Sequence, residues 1–353
     1  MSYQQVGTPR FFCDSFLSHS AAGLGSGENN LFNLNPTSQY LSVGTGSIDH
    51  PHEFLYYFTK PMYNIHYIAV LGHNLQGKGF WMEMREGDGS ATFDFQGTPN
   101  SQVNWDGGTG IGYNGFSIRT FTDAGGYTGA ADTVRFFSES VNVDIKIGCI
   151  SMGSIYDMPH SPDLNLTMSR EYGGTKTIET KGGASLSNTM WSKAPAWGNL
   201  GAWELEDSPA VPQPETPYQG SVELSRSGRR TWDLSFSYLQ DSDVFGPNQT
   251  MGNTDPNRTY WYPGALTGGT TTGYEDADIA SSGFTYNLLT DDNFYSQEIH
   301  KTNGGQLPFI FQPDGSNNNP DQFAICKLDM NSFKFEQVAN GVYNINLKIR
   351  EGW

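Results

Sequence analysis

The sequence predicts an all-β protein: two sandwich units in series and one short helix. Three observations carry this. The chain is rich in glycine (42 residues) and aromatics (14%) but only 16% charged, the composition of short strands joined by many turns rather than of helical bundles. Its C-terminal stretch alternates strictly: Tyr343, Ile345, Leu347 and Ile349 fall on one face, and Asn344, Asn346, Lys348 and Arg350 on the other. And candidate strands recur at intervals of about ten residues with Gly-rich turns between them, the rhythm of a sandwich or jelly roll.

Taken in order, residues 1–35 are weakly patterned. FFCDSFLSH (Phe11–His19) reads as a strand or as a docking segment, and Ala21–Asn30 as a Gly-rich turn. Residues 1–158 are expected to form a jelly roll with that N-terminal docking segment. Its strands are YLSV, EFLYYFT, MYNIHYIAVLG, FWMEMREG, ATFDF, GFSIRTFT, DTVRFFSES and VNVDIKIGCISMG. In the last of these, Val141, Val143, Ile145 and Ile147 alternate with Asn142, Asp144 and Lys146.

Residues 159–353 read as a second β unit. DLNLTMSR, KTIETKGG and ASLSNTMWS are strands, with Gly182-Gly183 as a turn, and Ser208–Pro217 is a Pro-rich linker or surface loop. RTWDLSFSYL is a strong strand expected to bury Trp232, Leu234, Phe236 and Tyr238 and to expose Asp233, Ser235 and Ser237. Phe245–Gly283 has no periodicity and reads as a long inserted loop, functional or disordered. Leu288–Thr302 is the one good helix, with Thr290 as N-cap, Asp291 and Asp292 in the first turn and Gly304-Gly305 as the stop. Phe323–Val338 supplies partners for the C-terminal strand, which is entered through the Asn340-Gly341 turn. A domain that ends on a core strand is not expected to survive loss of its tail.

The net charge of −17 is shared by both halves. An evenly acidic surface disfavours nucleic acid and anionic membrane as partners. No apolar run is long enough to span a bilayer, and no basic-then-apolar leader is present, so folding in a cytoplasm without export is expected. Cys13, Cys149 and Cys326 are far apart, odd in number and set in apolar runs, which predicts buried free thiols.

Two stretches resemble proteins of tailed bacteriophages. YNIHYIAVLGHNL, a Gly-rich turn and FWMEMRE are similar to the discoidin-like N-terminal jelly roll of phage tail and virion proteins, in which a strand ends in a GHNL turn. RRTWDLSFSYL, a helix, GGQLPFIFQPD and VYNINLKIREGW resemble the β-sandwich of tail-tube-like and distal-tail (baseplate) proteins, which close on a strand ending in a Glu and an aromatic. The long insert Phe245–Gly283 departs from a minimal tail-tube pattern. The resemblance implies a non-enzymatic virion structural protein near the tail tip. It would be assembled in the host cytoplasm as a ring, a hexamer in the usual case, with other tail proteins as partners. Lys176–Ser192 is the candidate hairpin for contact with a neighbouring subunit, because its faces are too polar for a core hairpin.

The candidate sites are weak by comparison. Tyr260, Trp261 and Tyr262 in the long loop, with Trp105 and Tyr113 in a Gly-rich segment, could stack on host-surface glycan, since ring faces match the C–H patches of sugars; anchoring of the loop explains them as well and is preferred. A glycan-binding adhesin is therefore the alternative function. His50, His52, His66 and His73 lack metal spacing, and His73 and Asn74 are expected to bond turn backbone. No cofactor is expected. Calcium is the one ion the acidic loops suggest (Glu86, Asp88 and Asp94; Asp314 and Asp321), though solvated turns account for the same residues. No GxSxG, HExxH or P-loop pattern points to catalysis.

Overall fold

The computed structural model describes residues 7–14, 21–22, 31–32, 34, 40–42, 52–62, 65–75, 81–86, 91–94, 105–106, 110–111, 115–120, 131–138, 144–171, 175–189, 229–244, 293–318 and 322–352. They form the all-β sandwich class that composition and strand spacing predict.

One antiparallel sheet of ten strands organises the molecule. Its order is β10 (Phe116–Thr120), β5 (Tyr67–Leu71), β13 (Cys149–Asp157), β1 (Arg10–Asp14), β18 (Phe309–Gln312), β19 (Ala324–Leu328), β21 (Val342–Glu351), β17 (Arg229–Gln240) and β14 (Thr167–Glu171). The tenth, β20 (Phe335–Ala339), also pairs with β21. A second sheet runs β2 (Ala21–Ala22), β4 (His52–Met62), β11 (Ala131–Ser138), β6 (Trp81–Glu86) and β7 (Ala91–Asp94). Three small pairs complete the set: β3 (Tyr40–Ser42) with β12 (Ile145–Ile147), β8 (Trp105–Asp106) with β9 (Gly110–Ile111), and β15 (Thr175–Glu179) with β16 (Ser185–Thr189).

The first sheet runs across residue 158, where the domain boundary was expected, through the pairing of β1 with β18. The segment read as a strand or a docking arm is a central strand, held by β13 on one edge and β18 on the other. It shows no alternation because both of its faces are buried. Phe11, Phe309, Phe311, Ala324 and Cys326 point into a core shared with Trp232, Leu347 and Ile349. Their neighbours Phe12, Ile310, Phe323 and Ile325 point the opposite way, into a core with Tyr67, Phe116 and Ile118. Side chains alternate across a strand, so β1, β18 and β19 give one face to each core and weld the two together. Ring contacts follow this division: Phe11 lies 5.2 Å from Phe311 by centroids, and Phe12 lies 5.1 Å from Tyr67. Arg10 and Asp157, cross-strand partners, close the β1–β13 ladder with a two-pronged ion pair.

The C-terminal strand carries the alternation read from sequence, with Ile345, Leu347 and Ile349 buried and Asn346 and Lys348 exposed. Gly341 takes a φ of 66° in the turn before it. In β17 the expected pattern holds to Phe236 and then fails. A β-bulge between Phe236 and Leu239 puts Leu239 into the core and turns Tyr238 out to solvent. An extra residue on one strand shifts every later side chain by one position.

Helical structure among the described residues is short. A single turn (α1, Asp241–Val244) follows β17. The helix expected over Leu288–Thr302 is a π-helical turn, Tyr295–His300. Thr290 lies outside the described residues; in the described part Asn293 acts as the cap, its Oδ1 accepting the Ser296 N–H at 2.9 Å. Ser296, Gln297, Glu298 and Ile299 are all buried, so the turn is enclosed rather than laid on the surface by one stripe.

It stops as predicted, at Asn303, Gly304 and Gly305, with φ of 54°, 72° and 82°. At Gly305 an added Cβ would lie 2.6 Å from Leu328 Cβ. Gly305→Ala is therefore expected to lower stability by about 2 kcal/mol, from the unfavourable φ and the overpacking together. Gly304→Ala meets no such neighbour and should cost clearly less. Urea unfolding of the two variants checks the difference.

Candidate functional site

The GHNL turn ends β5. Gly72 supplies a φ of 64°. His73 is buried; its Nδ1 accepts the Leu75 N–H at 3.1 Å, which leaves Nε2 to donate to Ser117 Oγ at 2.9 Å. Asn74 fastens the turn to the segment leading into β12, since its Oδ1 accepts the Lys146 N–H (2.8 Å) and its Nδ2 donates to the Asp144 carbonyl (3.2 Å). The motif is a backbone clamp, as the sequence suggested.

A second polar cluster was not anticipated. Glu298 is fully buried in the π-helical turn and accepts the Cys13 thiol on Oε2 at 2.7 Å. Its Oε1 has no hydrogen-bond partner. Burial pushes the carboxyl up to about 8, with the Cys13 hydrogen bond and the Lys301 charge acting against the rise. Burial, with the Glu298 charge adding to it, likewise pushes the Cys13 thiol well above its usual range. Lys301 Nζ donates to Ser154 Oγ and Gln297 Oε1, each at 2.6 Å. Nothing in the one-letter pattern distinguishes Glu298 from a solvated helix residue. All three cysteines are buried free thiols, as expected.

The β15–β16 hairpin stands exposed. Its turn is tied by Thr180, whose N–H donates to the Ala184 carbonyl at 2.9 Å and whose Oγ1 accepts the Ala184 N–H at 3.1 Å, and Gly183 takes a φ of 81°. Residues 177–187 are all exposed. Ile178 and Leu186 stand directly opposite each other, 55% and 61% exposed. Among the described residues these two strands pair only with each other. A two-stranded hairpin alone is marginal in water, and this one carries an exposed apolar cross-strand pair.

Of the aromatic residues named for glycan stacking, Trp105 opens β8 opposite Ile111. Tyr260, Trp261, Tyr262 and Tyr113 lie outside the described residues. His52 is buried within β4, and His50 lies outside. For the calcium candidates, Glu86 ends β6, Asp94 ends β7, and Asp88 and Asp321 lie outside the described residues. Asp314 is engaged by its own turn, with Oδ1 accepting the Ser316 N–H and hydroxyl. Among the described residues no three His, Cys, Asp or Glu side chains gather as a metal set. No helix of the described residues is long and apolar enough to cross a membrane.

No family model and no curated protein matches the chain. Among solved structures it is similar to CpGH89CBM32-6 produced by Clostridium perfringens, at 14% identity and a TM-score of 0.28, over 43% of this chain and 97% of that one. It is also similar to truncated AlyQ with CBM32 and alginate lyase domains, at 10% identity and a TM-score of 0.27, over 51% of this chain and 42% of that one.

Proposed function

We propose that this chain is a structural subunit of a phage tail that assembles with copies of itself in a ring. The observation that carries the reading is the projecting β15–β16 hairpin, whose described strands have no third partner and which presents Ile178 and Leu186 to solvent. The edge strand β14, paired only with β17 among the described residues, offers the unpaired backbone groups that such an arm could join. Closed rings use one patch against a different patch on the next copy, and an arm plus a free edge is such a pair. The phage resemblance of the GHNL block and of the C-terminal strand supports the setting.

The test is particle mass in solution by light scattering, with electron microscopy of the same sample. Wild-type protein is expected to form rings. Ile178→Asp with Leu186→Asp should yield monomers with an unchanged melting curve, because both side chains are exposed and contribute little to the fold. A wild-type protein that stays monomeric at every concentration, alone and with tail partners, would remove the assembly reading. The alternative, a tail adhesin that binds host glycan, is favoured by one feature of its own, the outward-turned Tyr238.

A further inference from the structure

The bulge in β17 sets Ser237 and Tyr238 against the single residue Asn344 of β21. Tyr238 has a φ of 63° and is 79% exposed. A bulky residue in the left-handed region is a true outlier, and such strain persists only where the surroundings hold it. Here Asn344 Oδ1 accepts the Tyr238 N–H at 3.1 Å, and Ser237 Oγ donates to Asp163 Oδ2 at 2.7 Å. The bulge buries Leu239 in the core and leaves the Tyr238 ring at the surface, where the fold makes no use of it.

Beside the bulge, on the outer face of β17 and β21, lies a shallow depression of about 270 Å³. Asn165, Asp233, Ser235 and Asn346 line it, and among the described residues their side chains have no hydrogen-bond partner. Lys348, also at its edge, faces Asp329 at 3.4 Å and stands opposite Asp233 across the ladder. Asn346 is two residues from Asn344 on the same face, about 7 Å along the strand. The depression thus begins one same-face position along β21 from the residue that clamps the Tyr238 backbone. Two amides, a carboxylate and a hydroxyl both donate to and accept from paired hydroxyls, and a free phenol face matches the C–H face of a pyranose. Asp233 and its cross-strand neighbour Lys348 place one carboxylate and one ammonium on this face, which carries no excess of either charge for a charged sugar.

We propose that this face binds a neutral saccharide, with one ring hydrogen-bonded by Asn165, Asp233, Ser235 and Asn346 and the next ring stacked on Tyr238. The site is separate from the β15–β16 hairpin, and the proposal does not rest on the assembly reading.

The experiment is calorimetric titration of the full chain with neutral hexasaccharides of glucose, galactose, mannose and N-acetylglucosamine. At least one is expected to bind with a Kd below about 1 mM. Tyr238→Ala should weaken it about tenfold or more, Tyr238→Phe should keep it, and Asp233→Asn should weaken it severalfold. Tyr238→Gly should abolish stacking while raising Tm by about one to three degrees, since glycine takes this φ without strain. Failure of every sugar to bind overturns the proposal, as does binding that Tyr238→Ala leaves unchanged. A fall in Tm for Tyr238→Gly, or a fall in particle mass for Tyr238→Ala, would assign the ring to the fold or to a subunit contact instead. Loss of rings in the hairpin variant with sugar binding retained separates the two readings.

Discussion

Glu351→Ala is expected to cost about 3–5 kcal/mol of stability, enough to unfold a marginal domain. Glu351 is 2% exposed at the end of β21, and Arg230, 7% exposed, faces it from the start of β17. The carboxylate takes the Arg230 backbone N–H at 2.9 Å and the guanidinium on both oxygens, at 3.2 and 3.0 Å. The guanidinium also donates to the Phe323 carbonyl at 2.8 Å and sits 5.4 Å from the Trp232 ring centroid. One pair of side chains thus ties β21, β17 and the entry to β19. Removing the acid takes from a desolvated guanidinium its two-pronged carboxylate partner, and that penalty, rather than the strength of the pair, sets the loss. The double change Arg230→Met with Glu351→Leu removes both charges and should recover most of it. Urea unfolding of the three proteins checks this. A double variant as unstable as the single one would mean that shape or the Phe323 contact, not charge, governs the site. Deleting residues 351–353 should match Glu351→Ala.

The same strands show what the sequence can and cannot express. Half-buried strands announce themselves, so β21 and β17 as far as Phe236 were readable from alternation alone. Turns requiring positive φ were readable at Gly341, Gly183 and Gly304-Gly305. The N-terminal strand was not, because RFFCD is buried on both faces and burial on both faces erases period two. Tyr238 was misplaced because a bulge is set by long-range register, here by Asn344, and nothing in SFSYL requires one. The hairpin was readable as too polar for a core, and its exposure bears that out. Glu298 was missed since a charged residue in a helical run reads as solvated, and only the closure of β1 and β13 over it makes it buried.

That burial produces the second large effect, a stability that falls as pH rises. Glu298 carries a folded-state pKa of about 8 against an ordinary value of 4.5. Between these values the folded state holds a proton that the unfolded state has released. The stability this group contributes is complete below 4.5, is lost progressively up to about 8, and is then constant. At 1.36 kcal/mol per unit the whole change is at most about 5 kcal/mol, and relaxation around the charge will reduce it. Glu298→Gln keeps the shape, still accepts the Cys13 thiol and cannot ionise. Its unfolding free energy should be close to that of wild type at pH 5 and higher by about 3 kcal/mol or more at pH 8.5, so that the difference between the two proteins, plotted against pH, climbs through the interval. Other carboxylates shape both curves equally and cancel in that difference. A flat difference would show that Glu298 titrates as an ordinary carboxylate, and with it that the π-helical turn opens to water more readily than its packing against β1 and β13 implies.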